Sequence, residues 1–256
     1  MQEAEARAKA LKFRIYPNSS LNIKPGELLN AMQNSTLEMA VYPLVYAVGK
    51  VREFSLAGLR GFVPNLEAAQ ALKGSEIYTT LQSIAEANGI RILTWWWAPG
   101  GFLAKNREIS DPKSVQGLKM RAAEPLFELM LKDAGASVTN MPSTEIYAAM
   151  QSGSLDAILT TYQTFVSLSD LYFDAGQRDV ERRMVTTLRS AGVSIRRMTN
   201  EDHLTWLQLA QRTAWLEYTK INPRAQELLL TTIRTHLEKL GSKDDVVDSI
   251  YGDQPK

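Results

Sequence analysis

One segment of this chain occurs twice. Glu27-Leu-Leu-Asn-Ala-Met-Gln-Asn-Ser-Thr-Leu-Glu-Met-Ala-Val41 returns as Glu145-Ile-Tyr-Ala-Ala-Met-Gln-Ser-Gly-Ser-Leu-Asp-Ala-Ile-Leu159. Glu27/Glu145, Ala31/Ala149, Met32/Met150, Gln33/Gln151 and Leu37/Leu155 are identical in one register, and Glu38/Asp156 match in charge. Each copy reads as a helix ending in a polar turn, at Ser35 or Gly153, after which an acidic residue opens a short apolar strand. Two amphipathic units rich in common helix formers can also match by chance. If the likeness is structural, the chain carries two similar α/β lobes. Open α/β sheets bind ligands at the carboxyl ends of their strands, so two such edges facing across a hinge form a cleft that closes on a small molecule.

The rest of the pattern fits such an architecture. Phe13–Tyr16 alternates as a strand closed by the turn Pro17-Asn18-Ser19-Ser20, and Leu28, Leu29 and Met32 recur at helical spacing. Leu37–Val41 reads as a short buried strand. Helices are expected over Ala68–Lys73 and Ile77–Asn88, stopped by Gly74 and Gly89. Ile90–Trp97, a nearly unbroken apolar run, has the character of a central strand. Past Pro99-Gly100-Gly101, strands over Phe102–Asn106, Gly117–Arg121, Val138–Pro142 and Leu155–Thr160 enclose helices over Pro125–Ala134 and Ser143–Gln151. This alternation predicts a mostly parallel sheet with helices on both faces. From Asp174 onward the chain is nearly all helix. The expected division is 1–98 as lobe one, 99–171 as lobe two, and 172–256 as a hinge helix with C-terminal helices packed on the lobes.

Composition removes several functions. Lys+Arg is 29 against 28 for Asp+Glu, too even a balance for the basic field that nucleic-acid binding requires. The chain has no cysteine, hence no disulfide, no thiolate metal site and no cysteine nucleophile. His203 and His236 are its two histidines, too few and too far apart for a histidine-built metal site; both are expected at exposed helix positions. No window approaches the ~20 apolar residues of a membrane span. The charged stretch MQEAEARAKALKFRIYP lacks the apolar core of a signal peptide. There is no G-x-G-x-x-G, Walker loop, G-x-S-x-G or H-E-x-x-H, and Ser110-Asp-Pro-Lys113 spells S-x-x-K in what Pro112 makes a turn. Neither a catalytic group nor a cofactor or metal is expected. Glu145, beside Ser143-Thr144, reads as a helix-start residue and Asp156 as a turn residue.

The run from Gly117 to Ala157, with Gly117-Leu-Lys-Met-Arg121, Asp133-Ala-Gly-Ala136, Met141-Pro142 and Glu145-Ile-Tyr-Ala-Ala-Met-Gln-Ser-Gly-Ser-Leu-Asp-Ala157, resembles the core signature of TRAP-transporter solute-binding proteins. That pattern is G-L-K-hydrophobic-R, a helix, L-G-A, a strand ending at Pro, then E-x-Y-x-A-L-Q-x-G-x-x-D-G. The resemblance implies a two-lobed, type II-like periplasmic-binding-protein fold with a long helical C-terminal part. It further implies a periplasmic receptor that binds a carboxylate-containing organic acid and hands it to a TRAP membrane permease. Relative to the family, the opening strand of lobe one has no counterpart. The two strands that cross back through lobe one are also missing after Leu171, where Tyr172-Phe-Asp-Ala-Gly176 leads straight to helix. Lobe one is therefore expected to be incomplete. The alternatives are an α/β enzyme acting on a similar acid and a shortened relative that binds nothing.

Arg121 is the expected anchor. It ends a strand immediately before a helix, and its planar guanidinium forms paired hydrogen bonds to a carboxylate while staying charged in a dry site. The family's matching Arg meets the ligand's carboxylate. The alternative partner is Glu124 or a neighbouring acid. Trp97 and Phe102 are expected as an aromatic wall, against the alternative of core packing. Thr160, Thr161 and Gln163 follow the second repeat strand and are expected at the lobe-two mouth, where the family often has an Asn. Tyr42 and Tyr46 hold the comparable place after the first copy. The C-terminal helices, Trp206–Tyr218 and Ala225–Leu240, have apolar spacing for a packing face or a dimer contact.

Overall fold

The computed structural model describes residues 12–17, 20–63, 66–95, 100–161, 186, 188–190, 192–196 and 198–240. The chain forms two compact units, residues 1–42 and 43–256.

In the first unit, a 3-10 turn at Pro25–Glu27 runs into helix α1 (Leu28–Gln33), with Leu29 and Ala31 buried. In the second unit, a 3-10 turn at Ser143–Glu145 runs into helix α5 (Ile146–Gln151) in the same way. The two copies of the repeat thus share one backbone path. Glu27 and Glu145 have nearly the same dihedrals, φ −96° and ψ −8° against φ −95° and ψ −11°. Asn34 N–H donates to Asn30 O and Ser35 N–H to Met32 O, just as Ser152 N–H donates to Ala148 O and Gly153 N–H to Met150 O. Leu37 N–H reaches Ala31 O at 3.1 Å, and Leu155 N–H reaches Ala149 O at the same 3.1 Å. Both turns pass through the left-handed region, at Ser35 (φ 60°) and Gly153 (φ 78°); glycine takes that conformation freely and serine does not. Glu145 stands at the helix start, as expected, although its side chain makes no capping hydrogen bond.

After the turn the copies part. Leu155 leads into strand β4 (Ala157–Thr161), whereas Leu37–Val41 is irregular, with Met39 exposed and Val41 90% exposed. The expected strand at Phe13–Tyr16 is also irregular backbone, as is Ile90–Trp95, where Leu93 is 65% exposed. These segments have the side-chain character of strands. A strand, however, exists only where its N–H and C=O groups find a ladder partner.

The sheet that does form belongs to the expected lobe two: β1 (Gly100–Ala104), β2 (Lys119–Ala122), β3 (Ser137–Asn140) and β4, in the order β1-β4-β2-β3. β2 runs parallel to both β3 and β4, while β1 is antiparallel to β4. Gly100 sits opposite Thr161 because a Cβ there would meet Thr160 O at 2.5 Å. Helix α4 (Pro125–Asp133) joins β2 to β3 and buries Leu126, Met130 and Leu131. α5 contributes Ile146 to a cluster with Leu155 and Ile158. Helices α2 (Leu66–Ala71) and α3 (Glu76–Ala87) precede the sheet.

The C-terminal helices turn their apolar face inward. α6 (Asn200–Ala210) opens on a capping box between Thr199 and Asp202, continues through a π-turn at Gln211–Trp215 and ends as α7 (Leu216–Thr219). Three aromatic donors fasten this rod to earlier backbone: Trp206 Nε1 to Ser110 O (2.8 Å), Trp215 Nε1 to Arg60 O (3.0 Å) and Tyr218 Oη to Glu53 O (3.0 Å). α8 (Pro223–Leu240) packs along α2. His203 is exposed, as expected, but His236 is not: it is 0% exposed, with Nε2 3.2 Å from Ala68 O and its ring against Phe62. Its place on the inward face of α8 buries it. No helix among the described residues is long and apolar enough to cross a membrane.

Candidate ligand-binding site

Arg121 lies near the carboxyl end of β2, the strand with a parallel neighbour on each side. Its guanidinium spans the ends of those neighbours: Nε donates to Met141 O, just past β3, at 2.9 Å, and Nη1 donates to Leu159 O of β4 at 3.1 Å. The side chain is 1% exposed. Nη2 is buried and has no hydrogen-bond partner among the described residues. Burial holds this guanidinium below the usual arginine range, and the Tyr46 phenol beside it acts in the opposite direction. Leaving a charged donor dry and unsatisfied costs about 1–3 kcal/mol or more.

Tyr46 reaches this point from a 3-10 turn, Leu44–Ala47. Its hydroxyl accepts the Ser143 N–H at 3.1 Å, at the turn that begins α5. Arg121, Tyr46 and the Ser143 amide therefore meet at the carboxyl edge of the sheet, and two of the three are fixed by backbone contacts.

Glu124 does not pair with Arg121. It accepts the N–H of Leu126 (3.0 Å) and of Phe127 (2.8 Å), which caps the start of α4 just ahead of Pro125. It is 1% exposed, and burial raises its carboxyl to about 7 against the pull of those two amides and the Ser55 hydroxyl. A Glu followed by Pro at a helix start was the signal in the sequence for this capping role.

Thr160 and Thr161 are the half-buried end of β4, paired with Gly101 and Gly100. Phe102 is on β1 opposite Leu159, with its ring 4.8 Å from that of the buried Trp206. Tyr42 closes the first unit. Trp97 and Gln163 lie outside the described residues. Trp95, nearer than Trp97 to the start of its run, stacks on Tyr78 at 5.5 Å. Asp156 accepts the Lys119 N–H at 2.9 Å, tying β4 to β2. Ser110 precedes and Lys113 lies within a 3-10 turn, Pro112–Val115, capped by Asp111, so the pair does not share the helix that S-x-x-K chemistry needs. Among the described residues no group of three or more His, Cys, Asp or Glu side chains could hold a metal.

The chain as a whole is similar to known proteins. A solute-binding protein of Albidiferax ferrireducens is 29% identical over 283 aligned positions, covering 91% of this chain and 83% of the relative. Those 283 positions exceed the chain's 256 residues by 27, so at least that many face interior segments of the relative that this chain lacks. The C4-dicarboxylate-binding periplasmic protein DctP of Rhodobacter capsulatus is 30% identical over 57% of this chain, which spans 44% of that relative's length. The crystal structure of a TRAP periplasmic solute-binding protein from Rhodoferax ferrireducens, with bound malonate, superposes with a TM-score of 0.85 at 28% identity, covering 94% of this chain and 92% of that one. The two-lobed periplasmic-binding fold expected from the sequence is thus the fold of this chain. The profile described as bacterial extracellular solute-binding protein, family 7, matches residues 3–173, and the chain belongs to that family.

Proposed function

We propose that this chain captures a small organic acid by its carboxylate in the periplasm and delivers it to a TRAP-type permease. The observation that carries this reading is the buried Arg121, with Nε and Nη1 committed to carbonyls and Nη2 unpartnered at the carboxyl edge of the sheet. The Tyr46 hydroxyl, oriented by the N–H that Ser143 donates to it, stands beside it as a further donor. Malonate in the Rhodoferax structure and the C4-dicarboxylate of the Rhodobacter protein's name favour a carboxylate as the cargo. In this reading Thr160 and Thr161 offer hydroxyls from the lobe-two mouth, with Gln163 following them. Phe102 of β1 offers an aromatic wall beside them, while Trp97 and Tyr42 enter only as candidates from the sequence.

An enzyme acting on the same acid would need a titratable group aimed at the ligand. Glu124, the buried carboxylate nearest Arg121 in sequence, is turned instead to the amides that open α4. A second copy of the chain is not part of the reading, since Leu228, Leu229 and Ile233 of α8 face the chain's own interior.

Thermal unfolding with and without malonate tests the proposal, with wild type and Arg121→Lys side by side. A ligand at a hundred times its Kd adds about 2.7 kcal/mol of stability, so wild type should shift clearly upward. Arg121→Lys keeps the charge but loses the planar fork, and should not shift. No shift of wild type by malonate or by other mono- and dicarboxylates would overturn the proposal, as would an equal shift in both proteins.

A further inference from the structure

The segment that carries Tyr46 continues from its 3-10 turn into a second, Arg52–Gly58. This second turn meets the chain just past Arg121. The Ser55 hydroxyl hydrogen-bonds the Glu124 carboxyl, and Gly58 lies so close that a Cβ there would stand 3.4 Å from Glu124 Oε1 and 3.2 Å from Val45 Cγ1. Glu124, Ser55 and Gly58 are all buried. Two polar contacts therefore dock residues 44–58 onto residues 121–143, namely Tyr46 on Arg121 and Ser143, and Ser55 on Glu124.

We propose that Glu124 is a positioning residue for ligand capture, clasping the 52–58 turn to the start of α4 and so holding Tyr46 against Arg121. The inference rests on the carboxylate-binding reading above. The clasp has a sign that can be measured. Docked, the carboxyl titrates near 7, and exposed to water it would titrate at its ordinary 4.5, so docking takes up a proton between those two values. The clasp tightens as pH falls from about 7 toward 4.5 and is independent of pH above that window. The charged groups around it leave this sign intact. Glu128 on the same helix pushes in the same direction. Arg121 is committed to the Met141 and Leu159 carbonyls, Glu53 accepts from Asn222, and Arg212 of the packed π-turn pairs with Asp133 at the far end of α4. Arg52 is exposed, and β3 carries no titratable side chain.

The test is calorimetric titration of malonate at pH 8 and pH 6 into wild type and Glu124→Gln, since protonation of malonate itself is common to both proteins. The ratio of wild-type to variant affinity should rise from pH 8 to pH 6, by up to about tenfold where the clasp is open without malonate. A constant ratio would overturn the proposal. Urea unfolding of both proteins at the same two pH values, without any acid, gives a second reading. The ratio of their folding constants should change in the same direction by about tenfold. If malonate binds neither protein, the carboxylate reading fails and the role in capture with it, while the urea comparison still decides whether the clasp exists. An unchanged unfolding ratio would remove the clasp itself.

Discussion

At Arg121 one side chain serves two ends, and the two can be separated. Its Nε and Nη1 satisfy the Met141 and Leu159 carbonyls, which join the ends of β3 and β4 across β2, while Nη2 is the group that the proposed capture of a carboxylate would use. Truncation should therefore unfold as well as unbind. Arg121→Ala leaves two buried carbonyls without a donor and a hole where the stem lay, and should lower the urea unfolding free energy by about 2–4 kcal/mol. A loss under 0.5 kcal/mol would show that the carbonyls are satisfied without it. The place of this residue at a strand end before a helix was legible in the sequence, while its expected role as anchor rested on the family resemblance. Its carbonyl partners were not, since Met141 and Leu159 are brought to it only by the register of three strands. Glu124 illustrates the same limit. As a neighbour three places along it invited pairing with Arg121, but the backbone turns its carboxyl to the amides of Leu126 and Phe127.

Among the elements, α6 to α8 fix the rest of the second unit through groups that helical periodicity cannot show. The spacing of apolar residues revealed an inward face, yet it is the polar tips of Trp206, Trp215 and Tyr218 that select which loops lie beneath it. Tyr218→Phe keeps the packing and leaves Glu53 O without this donor, so it should cost about 1–2 kcal/mol in urea denaturation, and no cost would mean the bond contributes nothing net. His236 adds a pH dependence opposite to that of Glu124. Burial holds its ring below the usual histidine range, so the folded chain keeps it neutral while the unfolded chain takes up a proton below about pH 6.5. Its contribution is complete above that value and is lost as pH falls, by up to ~1.4 kcal/mol per unit. His236→Gln should flatten the decline in unfolding free energy between pH 6.5 and 5; the same slope in both proteins would place the loss elsewhere.

Across the whole chain, the strands that sequence reading located correctly and those it did not differ in one respect, the presence of a neighbour. β2, β3 and β4 lie close in sequence and are linked by short helices, so each finds its ladder partner nearby. Leu37–Val41 and Ile90–Trp95 have equally apolar sequences and remain irregular, in a chain whose alignment with the Albidiferax protein passes over at least 27 interior positions. The repeat makes the comparison internal. Turns at Ser35 and Gly153 follow the same path, one then entering a sheet and the other not, so local sequence builds the helix and turn but only a partner builds the strand. Hydrogen exchange reads this difference directly. Residues 38–41 and 91–94 donate no backbone hydrogen bond to any described residue, whereas Met120 and Arg121 sit in the middle of a ladder. The amides of those two segments should exchange at least ~100-fold faster than the amides of β2 in the same sample, since sheet amides open only against a barrier of several kcal/mol. Protection of 38–41 or 91–94 at the level of β2 would mean that these segments do find strand partners in solution, and that the lobe-one sheet is built after all.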